Sequence, residues 1–309
     1  MPLVPNFTRR DFMRVAAAGL AASTVASAKI ATRIHGVYVG MQTFTLRGLS
    51  LDQVIAAMKQ IGIGECELWS SHVEPKATEV PDVAKWRATV SLDYFAGVKK
   101  KFGDAGIEIY SYNPRFGGPG GRGARGAAAA PNAGTSTATP PAAPAAGDAP
   151  RPVTMTDEEI ERLFLMAKAL GAKTINSRIP ADLASRVAQA AERHKMIVGI
   201  TTDDPDILAA SPFYRYDVDT ASYLRMGHDP LQFLQDNHDK ITDVHLNDTK
   251  ATGPSVALGE GDAKIKEILL FLKQKKSPIR ALIDSNYPGS ETSVEELRKC
   301  FDYVNRVLT

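Results

Sequence analysis

Only two cysteines, Cys66 and Cys300, occur in 309 residues. Two thiols cannot build a disulfide scaffold or a cysteine-based zinc site, and both read as small buried apolar side chains. No uninterrupted apolar run approaches the roughly 18 to 20 residues that a membrane-spanning helix needs, which argues against a stable membrane span. Net charge is equally scarce. The formal value is +2, and Arg9, Arg10, Arg14 and Asp11 account for it, leaving the remainder near neutral. Nucleic-acid binders draw much of their affinity from neutralised phosphates, so that class is disfavoured. What the chain has is apolar material, 44% hydrophobic against 23% charged, enough for one large core.

The N-terminus reads as an address. Thr8-Arg9-Arg10-Asp11-Phe12-Met13 precedes an apolar stretch from Val15 to Ala26, too short to span a bilayer, and Ala26-Ser27-Ala28 supplies a small-residue cleavage site. Arg9 and Arg10 resemble the twin-arginine export signal. The expectation is a signal peptide over residues 1–28 and a mature chain over 29–309. The twin-arginine machinery would be its export partner, and the periplasm or another exported location its destination.

Beyond that segment, short β-branched or aromatic runs alternate with longer stretches of helical spacing, the pattern of a parallel sheet wrapped by helices. Eight strands are predicted: Gly36–Gln42, Glu65–Trp69, Ile107–Tyr112, Lys173–Ser177, Met196–Thr201, Tyr214–Asp219, Thr242–Leu246 and Arg280–Asp284. Capping boxes at Ser50/Gln53 and Thr156/Glu159 start two of the helices, and Gly62, Gly106 and Gly171 stop three. Residues 117–150, rich in Gly, Ala and Pro and without periodicity, predict a disordered insert after the third strand. Setting aside this insert and the signal leaves about 247 residues, close to the ~250 of an α/β (β/α)8 TIM barrel. A doubly wound fold would bring a glycine-rich phosphate turn after its first strand, and Gly40-Met41-Gln42-Thr43-Phe44 is not one.

In a barrel, chemistry sits where strands end. The polar residues closing the predicted strands are Gln42, Glu67, Asn113, Asn176, Thr201 with Asp203, Asp219, His245 with Asp248, and Asp284. Asp219, His245 and Asp284 close strands six, seven and eight. Two carboxylates and one imidazole form a mixed donor set suited to Mn²⁺, Mg²⁺, Co²⁺ or Zn²⁺.

The order of Asp219-Thr220-Ala221-Ser222, Gly227-His228-Asp229-Pro230, Val244-His245-Leu246-Asn247-Asp248 and Leu258-Gly259-Glu260-Gly261-Asp262 resembles the sugar phosphate isomerase/epimerase superfamily, the xylose-isomerase-like TIM barrels. Gly40 to Arg47 resembles that family's first strand and the loop after it. The resemblance implies a divalent ion held by Glu, Asp, His and Glu on strands five to eight. Asp219 and His245 match, and Asp284 stands one methylene short of the last Glu. Thr201 occupies the strand-five position. Asp203 either replaces the missing ligand or, with Asp204 and Pro205, starts a helix. Ser222 stands where the family often carries a His.

The activity implied by this resemblance is isomerisation or epimerisation of a carbohydrate or polyol, with proton removal next to a carbonyl and an enediolate intermediate. Asp284 is the candidate proton carrier on one side, with Glu260, Glu67 or Asp203 as the second; Glu260, between two glycines, otherwise belongs to a tight turn. Gln42, Arg47, Glu67, Ser222, Asp248 and Lys250 are candidate substrate-binding residues, with Arg47 and Lys250 read alternatively as solvated loop charges. Trp69, Phe44, Tyr112 and Tyr287 either stack on a sugar or pack in the core. Without the strand-five carboxylate, a one-base reaction, or a β-elimination of a keto-sugar, suits the inventory better than a symmetric two-base shuttle. The competing reading is a weakened barrel that binds carbohydrate without turnover.

Overall fold

The computed structural model describes residues 28–76, 79, 82–117, 155–287 and 290–309. Arg9 and Arg10, the rest of the predicted signal up to Ser27, and residues 118–150 of the predicted insert lie outside them. Eight parallel strands run in sequential order: β1 (Val37–Gln42), β2 (Glu65–Trp69), β3 (Glu108–Asn113), β4 (Thr174–Ser177), β5 (Ile197–Ile200), β6 (Tyr214–Asp219), β7 (Ile241–Leu246) and β8 (Arg280–Ile283). β1 pairs with β8 in parallel register from Tyr38↔Arg280 to Met41↔Ile283, which closes the sheet into a (β/α)8 barrel. Each strand lies within one residue of its predicted ends. A short strand, Arg33–Ile34, was not foreseen; it pairs antiparallel with the start of β1 through a turn in which His35 and Gly36 both have positive φ.

The helices wrap the barrel as α1 (Leu51–Ile61), α2 (Val83–Thr89), α3 (Leu92–Asp104), α4 (Asp157–Leu170), α5 (Ala184–His194), α6 (Pro205–Ala209), α7 (Thr220–Arg225), α8 (Pro230–Asp236), α9 (Ile265–Lys275) and α10 (Val294–Leu308). Both predicted capping boxes form, at the starts of α1 and α4. Gly62 and Gly171 end those helices in the left-handed conformation, where a side chain would be strained. The apolar stripes of α1, α3, α4 and α9 bury Val54, Met58, Phe95, Phe102, Leu163, Phe164, Leu269 and Leu272 between the helices and the strands. Each such side chain contributes about 1.5–3 kcal/mol on burial, so this layer holds the strand ends, and with them the site, in place.

The barrel interior is unusually polar. At its N-terminal end the Arg280 guanidinium lies 3.7 Å from the ring centre of Tyr110 and 4.2 Å from that of Tyr38. Buried Glu65 stands 3.8 Å from the same guanidinium. At the C-terminal end the inward positions carry carboxylates, amides and one imidazole. Gly199 on β5 makes room for them, because a Cβ there would lie 2.4 Å from Asn176 Oδ1.

Candidate functional site

Strand alternation sends residues two apart to the same side. Asp219 and His245 are register partners on β6 and β7, and Asp284 follows directly on β8. All three are buried, and one ligand atom from each lies within 4.8 Å of the others. His245 Nδ1 is 3.3 Å from Asp284 Oδ2. Asp219 is oriented by its own chain: Oδ1 accepts the Ser222 N–H at 2.7 Å, capping α7, and Oδ2 accepts from Asn247 Nδ2 at 3.3 Å. Ser222 thus serves the site through its backbone N–H.

A second acidic group faces the other nitrogen of the same ring. His245 Nε2 lies 3.1 Å from Asp217, 3.3 Å from Glu67 and 3.6 Å from Asp243. Glu67, Asp243 and His245 again bring ligand atoms within 4.8 Å. Neutral donors tie this group together. Asn176 Nδ2 donates to both Glu67, at 2.6 Å, and Asp243; Gln42 Nε2 donates to Glu67 at 3.2 Å, and Thr201 Oγ1 to Asp217 at 2.9 Å. Burial, reinforced by Asp217 and Glu67, pushes the Asp243 carboxyl well above the usual carboxylate range.

This arrangement tests the fit of a cation. A neutral imidazole carries one N–H and one lone pair. With the proton on Nε2, facing Asp217 and Glu67, the Nδ1 lone pair and the Asp219 and Asp284 carboxylates form a donor set that could hold one divalent ion. Two oxygens and one nitrogen suit the divalent ions named above.

The remaining predicted residues fall into two sets. Gln42 and Glu67 join the acidic group. The others are engaged elsewhere. Asp203 is not brought to Asp219 and His245: Asp204 caps α6 ahead of Pro205, the chain turns outward, and Asp203 pairs with His228 at 2.9 Å. That hydrogen bond holds the exposed Asp203 carboxyl below its ordinary value. Asp248 is buried and clasps a loop, accepting the N–H groups of Thr249 (3.0 Å), Gly259 (2.8 Å), Gly261 (2.9 Å) and Ala263 (3.2 Å). A Cβ at Gly261 would sit 2.0 Å from Asp248 Oδ1, so only glycine allows the clasp. Glu260 is exposed in a tight turn whose N–H reaches the Ala257 carbonyl at 3.1 Å, and its own carbonyl accepts from Lys250 Nζ. Arg47 pairs with Glu291 at 2.8 Å and lies over the Phe44 ring.

Asp217 and Asp243 stand one inward position before the polar residues at the ends of β6 and β7, so strand-end position alone does not single them out. Two-residue alternation placed Asp217 beneath Asp219 and Asp243 beneath His245, a signal that was there to use. A register irregularity between Tyr216 and Asp217 accompanies the inward turn of Asp217.

Above the acidic group a cleft of about 710 Å³, its open mouth included, is lined by Gln42, Phe44, Trp69, Asn113 and Thr201, with arginines on the following loops. Phe44 meets Trp69 edge-on at 5.1 Å. Tyr112 and Tyr287 are committed elsewhere, donating to Glu74 and Glu296.

No protein-family profile matches the sequence, and no curated protein does. Solved structures do match. A xylose isomerase domain protein from Planctomyces limnophilus aligns at TM-score 0.59 and 14% identity, over 90% of this chain and 98% of that one. A sugar phosphate isomerase/epimerase from Parabacteroides distasonis aligns at TM-score 0.57 and 12% identity, over 91% and 97%. The 3-keto-D-glucoside 4-epimerase of E. coli aligns at TM-score 0.56 and 12% identity, over 87% and 99%. The chain therefore shares the barrel architecture of the xylose-isomerase-like proteins across nearly their whole length.

Proposed function

We propose that this chain is an exported isomerase or epimerase of a carbohydrate or polyol, moving a proton next to a sugar carbonyl through an enediolate. The convergence of Asp219, His245 and Asp284 carries the reading. A divalent ion (Mn²⁺, Mg²⁺, Co²⁺ or Zn²⁺) held by these three would supply Lewis-acid polarisation of the carbonyl and its neighbouring hydroxyl. Asp284 exchanges the proton at its carboxylate, with His245 fixing its orientation. Gln42, Asn113 and Thr201 bind hydroxyls in the cleft, and Phe44 and Trp69 pack on the apolar face of the sugar. Asp203 is turned outward and Glu260 is exposed, so of the second carboxylates in the predicted set Glu67 alone stands beside His245, on the ring face opposite Asp284, an asymmetry that favours a one-base reaction. The order of Arg9, Arg10, apolar stretch and small-residue site supports export by the twin-arginine route.

Thr201 in place of a carboxylate favours one further reading, a barrel that binds carbohydrate without converting it. Incubation with added Mn²⁺ and a panel of ketoses and aldoses in deuterium oxide separates the two. Incorporation of deuterium next to the carbonyl is the expected result; sugar binding without incorporation supports the binding barrel.

A further inference from the structure

The cleft has a charge asymmetry that the proton-transfer chemistry does not use. Arg115 and Arg178, on the loops after β3 and β4, line the same cleft as Gln42 and Thr201, and among the described residues they are its only charged lining residues. Both are exposed. Buried Arg87 is matched to Glu74 at 2.6 Å and Arg47 to Glu291 at 2.8 Å, whereas no described acid lies within ion-pair distance of Arg115 or Arg178.

The two loops are held in fixed relation. Ser177 Oγ donates to the Pro114 carbonyl at 2.8 Å, and Asn113 Nδ2 to the Asn176 carbonyl at 2.7 Å, so the ends of β3 and β4 are tied twice immediately before the two arginines. Arg87 Nη1 donates to the Arg115 carbonyl at 3.1 Å. Arg87 is itself locked against Glu74, which also takes the Tyr112 hydroxyl at 2.5 Å. Preorganised supports of this kind lower the ordering cost of binding.

We infer that the cleft takes an anionic carbohydrate, whose carboxylate or phosphate is held by Arg115 and Arg178 while its carbonyl end faces Gln42 and Thr201. The inference rests on the function proposed above and names its substrate class. The charges fix the orientation: Gln42 and Thr201 on the cleft wall are hydrogen-bonded to the carboxylates of Glu67 and Asp217 behind them, which disfavours an anion at that end, whereas Arg115 and Arg178 offer it two guanidinium forks. Thr201 gains a purpose in this setting. A carboxylate at that position would place a negative charge on the cleft wall shared with both arginines, and the hydroxyl keeps the wall neutral.

Calorimetric titration of the full chain in Mn²⁺ with D-glucose, D-gluconate, D-glucuronate and D-glucose 6-phosphate tests the inference. At low salt an anionic sugar is expected to bind at least about tenfold more tightly than glucose, with the margin shrinking as salt rises. Preference for the two acids identifies carboxylate, and preference for the 6-phosphate identifies phosphate. Arg115→Ala and Arg178→Ala should each remove most of the margin while leaving glucose affinity in place, and the Lys variants should restore part of it. Equal affinity for charged and neutral sugars, failure of every charged sugar to bind at millimolar concentration, or an equal loss of glucose and acid binding in both Ala variants overturns it. The salt dependence is read on the unaltered chain, so a misfolded variant leaves the test intact. Charge preference without deuterium exchange keeps the anion site and removes the proton-transfer reading; exchange without charge preference does the reverse.

Discussion

Asp284 Oδ2 lies 3.3 Å from His245 Nδ1, the two side chains arriving from adjacent strands and fully buried. The same ring presents Nε2 to Asp217, Glu67 and Asp243. One imidazole therefore separates two acidic groups in the barrel, and its removal leaves several buried carboxylates facing one another. His245→Asn is expected to lower the unfolding free energy by about 3–5 kcal/mol. A urea titration followed by circular dichroism measures it.

Asp248 accepts four backbone N–H groups from the loop before α9. Asp248→Ala leaves those donors unmatched, at a cost of at least about 3 kcal/mol. Because Asp248 spends both carboxylate oxygens on these loop N–H groups, divalent-ion affinity in the folded variant should stay within about twofold of the parent. Thermal melting and ion titration on the same preparation read both quantities.

Burial pushes the Glu65 carboxyl up to about 7, against 4.5 for the unhindered group, although Arg280 opposes the shift. Between those values the folded chain binds the proton more tightly than the unfolded chain. Stability from this group is thus fully present below about 4.5 and declines as pH rises through about 7. Glu65→Gln keeps the shape, which matters because the Glu65 side chain packs against Gly40, and it removes the titration. Urea midpoints at about pH 5 and about pH 8 should differ less in this variant than in the parent.

The barrel was legible because each strand is a short run rich in β-branched and aromatic residues, bounded by the glycines and capping residues of the neighbouring helices. Arg33–Ile34 was missed, since two residues carry no periodicity. Asp219, His245 and Asp284 were legible as strand-closing residues, and their convergence follows from strand order alone. The fate of Asp203 and Asp248 was not legible. It depends on whether a loop turns toward the mouth or folds back on its own N–H groups, and that is set by Pro205, Gly259 and Gly261 acting together. Arg115 and Arg178 gave no local signal; only the ties from Ser177 and Asn113 bring their loops to one cleft.

The central claim is one divalent-ion site built from Asp219, His245 and Asp284, and calorimetric titration with Mn²⁺ tests it most directly. One ion per chain is predicted for the parent. Asp219→Asn and Asp284→Asn should each weaken binding by about tenfold or more, and Asp203→Asn should leave it unchanged. Binding that survives both of the first two substitutions, or no binding to the parent at millimolar Mn²⁺, would contradict the account.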